Sequence, residues 1–205
     1  MDVPPEVDSL RMVEYEEEVR RLMETERDSA MLVAEEAAQY CKSNSFLAGE
    51  ALFVSLQGVI ATSAGKMGEA MGFLRQGLRL RMAADVPDTA GLARSYDNIG
   101  NIHFYQGNLD AAVENFRRSY HFFMSIEDSA NATLILNNLG AVLVEEGRYS
   151  QALELYLQIT DFYERNQDST FLALAYLNTA EINLSLENPD EVRQWIDKAI
   201  SVAAA

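Results

Sequence analysis

Few side chains in this sequence have the type and spacing to carry a reaction. Gly58 to Met67 approaches a phosphate-binding loop because it contains Gly65 and Lys66, but the glycine spacing is wrong and Met67 cannot ligate magnesium. His103 and His121 have no cysteine or carboxylate at metal-ligand spacing, so both read as structural. Cys41 lacks a paired histidine motif and falls at the end of a predicted helix, where the negative end of the helix dipole disfavours a thiolate. The adjacent acids Glu35 and Glu36, and again Glu145 and Glu146, read as solvated helix faces. The expectation is a protein without catalysis, metal or cofactor.

What recurs is a group suited to holding a ligand. Asn98, Asn138 and Asn178 stand forty residues apart. A side-chain amide both donates and accepts, so it can satisfy a peptide group whatever side chain that peptide carries. Three such amides at one interval require elements that repeat at the same interval.

The composition asks for those elements to be helices. There are four prolines, two of them Pro4 and Pro5, and no Asn-Gly or Asp-Gly hairpin dipeptide, which leaves little that reads as strand. A hydrophobic share of 48% suffices for a continuous core. Lys plus Arg number 16 against 32 Asp plus Glu, and the net charge of -16 repels nucleic-acid phosphates and anionic lipid alike. Residues 1–50 carry 13 acids and 5 bases, residues 51–107 only 4 and 5. The acidic opening stretch is either a solvated face or a docking surface for a basic partner. With one cysteine, no basic start and apolar core of a signal peptide, and no apolar run long enough for membrane insertion, a cytoplasmic setting is expected.

Aligned with itself, the chain shows one register four times. Tyr96, Ile99, Gly100 and His103 are followed by Ala112 and Phe116, and Leu136, Leu139, Gly140 and Leu143 by Ala152 and Tyr156. Weaker versions run through Val54, Gln57, Gly58, Ala61, Ala70 and Leu74, and through Tyr176, Thr179, Ala180, Asn183, Val192 and Ile196. In each, a small residue precedes an alanine slot by twelve: 58 and 70, 100 and 112, 140 and 152, 180 and 192. The small slot predicts close approach of a partner helix, and the large slots fill the space around it. Gly65, Gly107 and Gly147 mark helix ends, with Asn188 and Pro189 in the fourth unit. Asp88, Asp128 and Asp168 are placed to cap the next helix, a part given to Ser43, Asn44 and Ser45 before the first unit.

This signature resembles the tetratricopeptide repeat family over residues 45–205. The resemblance implies an all-α, right-handed α-solenoid of antiparallel helix pairs with about ten helices. Its repeats are 45–86, 87–126, 127–166 and 167–205, in one continuous domain behind a degenerate N-terminal pair, 1–44. That pair is read as Glu6 to about Thr25 and Asp28 to about Tyr40, with Leu10, Val13, Val19 and Leu22, then Leu32, Val33, Ala37 and Tyr40, facing inward. Spacings of 42, 40 and 40 exceed the standard 34. This longer form is similar to repeats of kinesin light chains, spindle-orientation adaptors and bacterial signalling regulators.

In that family the face of each first helix opposite the signature lines a concave groove. Counting 100 degrees per residue, the groove slots are Arg94, Asn98, Asn101 and Tyr105; then Leu134, Asn138, Ala141 and Glu145; then Leu174, Asn178, Glu181 and Ser185. Leu52, Leu56, Val59 and Ser63 are the first unit's slots, and its leucines either anchor a ligand side chain or contact the N-terminal pair. The asparagines resemble a ladder that clamps a peptide backbone; the alternative is that they serve contacts within the array. With Arg94 the groove's one cation, acidic peptide tails are not expected to bind, and a partner with apolar and basic residues is. The first reading is a non-catalytic protein-binding scaffold. The alternatives are the N-terminal sensor module of a bacterial signalling protein, such as a diguanylate cyclase or histidine kinase, and a homo-oligomer through Trp195, Ile196 and Ile200.

Overall fold

A glycine, an alanine twelve residues on and a bulky side chain four residues after that form the contact that builds each hairpin. A Cβ added at Gly100 would stand 2.7 Å from the Phe116 ring, and one at Gly58 would stand 2.7 Å from Leu74. At Gly140 the Tyr156 ring lies 3.0 Å from the same point. Ala70, Ala112 and Ala152 are fully buried beside them. Glycine inside a helix costs about 1 kcal/mol against alanine, and burying a Leu or Phe returns about 1.5–3 kcal/mol. The exchange favours the close approach.

The computed structural model describes residues 9–204. Ten helices run through these residues, with no strand among them: α1 (Ser9–Thr25), α2 (Arg27–Ser43), α3 (Leu47–Ser63), α4 (Met67–Ala83), α5 (Thr89–Tyr105), α6 (Leu109–Ser125), α7 (Ser129–Glu145), α8 (Tyr149–Asn166), α9 (Ser169–Ser185) and α10 (Pro189–Ala203). The expected start of the first helix at Glu6 lies outside the described residues. The helices pack as hairpins in sequence order within two compact units, the first ending at Ile126 and the second beginning at Glu127.

The turns follow the register. Gly65, Gly107 and Gly147 take φ of 74, 73 and 70°, and in the fourth hairpin Glu187 takes the same left-handed conformation at 60° although the sequence suggests Asn188 as the stop. Asp88 accepts from the Gly91 amide at 2.9 Å, Asp128 from Asn131 at 3.1 Å and Asp168 from Thr170 at 3.1 Å, the expected caps of α5, α7 and α9. Before α3 the expectation fails. Ser43 still belongs to α2, Asn44 Nδ2 donates back to the Tyr40 carbonyl at 2.8 Å, and Phe46 holds the N-cap position without a side-chain cap bond.

In the first unit, α1 to α6, the N-terminal cluster joins Met12, Val19 and Leu22 to Ala30, Ala34, Ala37, Cys41, Phe53 and Leu56. Three inward positions are corrected, two on α1 and one on α2, while Val33 and Tyr40 do pack against the cluster. Leu10 and Val13 are exposed while Met12 is buried; Leu32 is exposed, Val33 and Tyr40 are half-buried, and α2 packs along an alanine and cysteine seam. Small residues let α1 and α3 approach α2, a preference that reading for bulk cannot see. Leu56 is buried in this cluster and Leu52 packs against it, so contact with the N-terminal pair is the outcome at those two slots. In the second unit, α7 to α10, the core gathers Ala152, Tyr156, Ile159, Tyr163, Ala175 and Ile182, with Thr160 and Thr179 hydroxyls 3.3 Å apart inside it.

Candidate binding groove

Asn98, Asn101 and Tyr105 lie three and four residues apart on α5, so they share one face, while Ile99, Gly100 and Ile102 turn into the core. That face meets Val59, Thr62 and Ser63 of α3 and Met67 at the start of α4 across a cleft of about 400 Å³. Five of the seven lining residues are expected groove slots, contributed by the first two repeats. Arg94, on the same helix, is exposed and does not line the cleft.

The polar capacity of this cleft can be counted. Thr62 Oγ1 donates to the Gly58 carbonyl and Ser63 Oγ to the Ile60 carbonyl, both at 2.8 Å, which leaves each oxygen as an acceptor. Asn101 Nδ2 donates to Asp97 Oδ1 at 3.2 Å, which leaves Asn101 Oδ1 as an acceptor. Asn98 makes no side-chain hydrogen bond among the described residues. Tyr105 is 63% exposed, a ring standing at the rim. No charged side chain lines the cleft. Such a surface can pair with the amide groups of a neutral extended segment and lay apolar side chains on Val59, Met67 and Tyr105.

The second unit treats the equivalent slots differently. Asn178 Nδ2 donates to Asn137 Oδ1 at 2.9 Å, so one rung of the expected ladder is spent on a contact between α9 and α7. The slot preceding Asn138, not Asn138 itself, receives that bond. Asn138 is half-buried, Glu145 and Glu181 are exposed, and Leu134 and Leu174 are exposed beside them. At the last helix, Trp195 is tied into the hairpin: its ring sits 5.7 Å from that of Tyr176, with Lys198 Nζ 4.1 Å from the indole. The outward apolar face of α10 is Ile196 and Ile200, 39% and 61% exposed.

Among the groups weighed for chemistry, Cys41 is buried, 3.5 Å from Met12 Sδ, and burial pushes its thiol up to about 12, with Glu50 adding to the shift. The helix continues past it to Ser43. His103 is half-buried in the packing slot with Nδ1 unpaired, and His121 is exposed against the edge of Tyr120. Among the described residues no three His, Cys, Asp or Glu side chains cluster as a metal site, and no helix is long and apolar enough to cross a membrane.

One polar node escaped the sequence reading. Arg81 of α4 is 5% exposed, and its guanidinium donates to Ser55 Oγ at 2.6 Å, Ser95 Oγ at 3.0 Å and Asp88 Oδ2 at 3.3 Å. Burial pulls its pKa down and Asp88 opposes the shift. The register held the signal: Phe123 and Tyr163 occupy the same slot in the next two repeats, so an arginine there needs built-in partners.

The family model for tetratricopeptide repeats matches residues 92–122 and 134–166. No curated protein matches the sequence. Aspartyl phosphate phosphatase F from Bacillus subtilis is similar in structure, with a TM-score of 0.79 at 14% identity; 91% of this chain aligns to 49% of that one, so the chain spans about half its length. A kinesin-light-chain-like protein of nearly identical TPR-like repeats from Podosopora anserina aligns over 95% of both chains, with a TM-score of 0.73 and 14% identity. YrrB, described as a TPR protein with an unusual peptide-binding site, covers 92% of this chain and 84% of its own at a TM-score of 0.56 and 18% identity. Identities this low carry the fold alone.

Proposed function

We propose that the chain, whose residues 92–122 and 134–166 match the tetratricopeptide repeat model, is a tetratricopeptide repeat protein and a non-catalytic interaction scaffold whose repeats, residues 45–205, bind protein or peptide segments. The carrying observation is the cleft in which Asn98, Asn101 and Tyr105 of one repeat face Val59 and Ser63 of the repeat before it. The amides and hydroxyl oxygens serve the peptide backbone, and the Tyr105 ring and Met67 serve its apolar side chains. On the second unit, taken by itself, the exposed carboxylates Glu145 and Glu181 favour basic residues in a bound ligand. YrrB offers a precedent for peptide binding on this fold.

The test begins with peptides selected from a random library on the full chain. Their affinity for wild type is then compared with Asn98→Ala and Tyr105→Ala. Loss of one net hydrogen bond is worth about 1 kcal/mol, roughly fivefold in Kd. Selected peptides that bind both variants as tightly as wild type would sink the proposal.

A second reading rests on α10. Ile196 occupies the slot of Leu74, Phe116 and Tyr156, which are 1%, 1% and 5% exposed, yet it stands 39% exposed. This exposed apolar face would suit pairing with a second copy of the chain. Light scattering at high concentration on wild type and Ile200→Glu decides the self-association form: a monomer in both rejects it.

A further inference from the structure

The connections between hairpins are unequal. Two residues join α8 to α9, whereas five, Ala84–Asp88, join α4 to α5, and they account for the longer 42-residue spacing of the first repeat. These extra residues wall a cavity of about 610 Å³ in the first unit. Val86 and Pro87 form one side, Phe46 and Leu47 at the entry to α3 the other, and Ala90 of α5 closes it. The volume falls in the range of small-ligand sites, and the lining is mostly apolar. Val86 is 67% exposed and Leu47 38%, so the apolar surface is open to an occupant.

Its electrostatics have one sign. Asp85 and Asp88 are the only titratable groups on the lining. Asp88 is committed to the Gly91 amide and to Arg81. Asp85 is exposed and has no hydrogen bond or ion pair among the described residues. The hydroxyls of Ser45 and Thr89 border the same cavity, where they can meet backbone amides.

We propose that the cavity walled by Ala84–Asp88 receives an apolar side chain of a partner's peptide segment, with a neighbouring lysine or arginine on Asp85. The apolar floor supplies affinity, the single uncommitted carboxylate supplies sign selectivity, and the Ser45 and Thr89 hydroxyls favour a peptide. This docking point is separate from the cleft between α3 and α5.

The experiment titrates the isotope-labelled full chain with a capped Gly-Leu-Lys-Gly peptide, followed by amide chemical shifts. Comparison peptides replace Lys by Glu, or Leu by Gly. Saturable shifts should centre on Leu47, Val86 and Ala90, with the Lys peptide about fivefold tighter than the Glu peptide, the size of one exposed ion pair. Asp85→Asn should erase that preference while leucine stays favoured over glycine, and Val86→Ser should weaken the leucine peptides. Both substituted residues are exposed, so each variant retains the fold, which far-ultraviolet circular dichroism checks. Shifts centred on Val59, Asn98 and Tyr105, no saturation in the millimolar range, or a charge preference that survives Asp85→Asn would each overturn the proposal.

Discussion

Alanine substituted for glycine should have opposite effects at two sites in the first unit, and the difference measures the contact that defines the repeat. Gly72 sits inside α4, exposed, with nothing within 4 Å of an added Cβ. Gly72→Ala should therefore gain the propensity difference, about 0.5–1 kcal/mol. Gly100→Ala gains the same amount but places its methyl 2.7 Å from two carbons of the Phe116 ring, which is 1% exposed and has no room to retreat. Overpacking of that kind costs about 1–3 kcal/mol. Propensity cancels in the comparison, so Gly100→Ala should be less stable than Gly72→Ala by roughly 2 kcal/mol. With a urea m-value of about 1–3 kcal/mol per molar, the unfolding midpoints should differ by roughly 1 M. Circular dichroism at constant m-value reads the shift. Gly140→Ala should lie between them, because Tyr156 stands further off at 3.0 Å. If Gly100→Ala stabilises as much as Gly72→Ala, the glycine is not a packing slot and the account of the hairpin is wrong.

Removing the Arg81 side chain should cost about 3–5 kcal/mol in Arg81→Ala, since it leaves the Asp88 carboxylate and two buried hydroxyls without their donor; a urea midpoint within error of wild type would contradict this. Asp128→Ala, which removes a cap and the hydrogen bond from the Asn131 side chain, should cost about 1–2 kcal/mol by the same assay. Alkaline pH should destabilise the fold. Cys41 and Tyr156 are held up to about 12, so the unfolded chain releases their protons from about pH 9 and 10 while the folded chain keeps them. Stability is then whole below pH 9 and falls through pH 12, and Cys41→Ala should flatten the earliest part of that decline. The same burial predicts that Cys41 reacts with a thiol reagent only in denaturant; rapid labelling of the native chain would refute it.

The register was legible because its slots are occupied by residues whose types report their environment. Glycine against a ring, alanine at full burial and aspartate before a helix each have a narrow set of causes. The N-terminal pair was harder. Its packing seam is Ala30, Ala34, Ala37 and Cys41, side chains that carry little hydrophobic signal, while the larger Leu10, Val13 and Leu32 remain outside. The groove face of α5 follows from counting degrees from Tyr96, and three of its four residues, Asn98, Asn101 and Tyr105, share one cleft while Arg94 stands outside it. Counting could not foresee that Asn178 would spend its amide on Asn137, because that bond depends on how closely α7 and α9 approach. Nor could it find the cavity beside Val86: sequence shows two extra residues, but only the path of the backbone shows what they enclose.

The Arg81 node also constrains which substitutions the chain tolerates. Its carboxylate partner recurs as Asp128 and Asp168, where it caps a helix without an arginine beside it, while the arginine's own slot holds Phe123 and Tyr163 elsewhere. The aspartate is thus common to three repeats, and the arginine belongs to one repeat and depends on it. Descent from here is lopsided: relatives can replace Arg81 with an aromatic residue and keep a capped α5, but those that lose Asp88 first inherit a stranded cation. Related sequences should therefore include chains with Asp88 and no Arg81, and lack the converse.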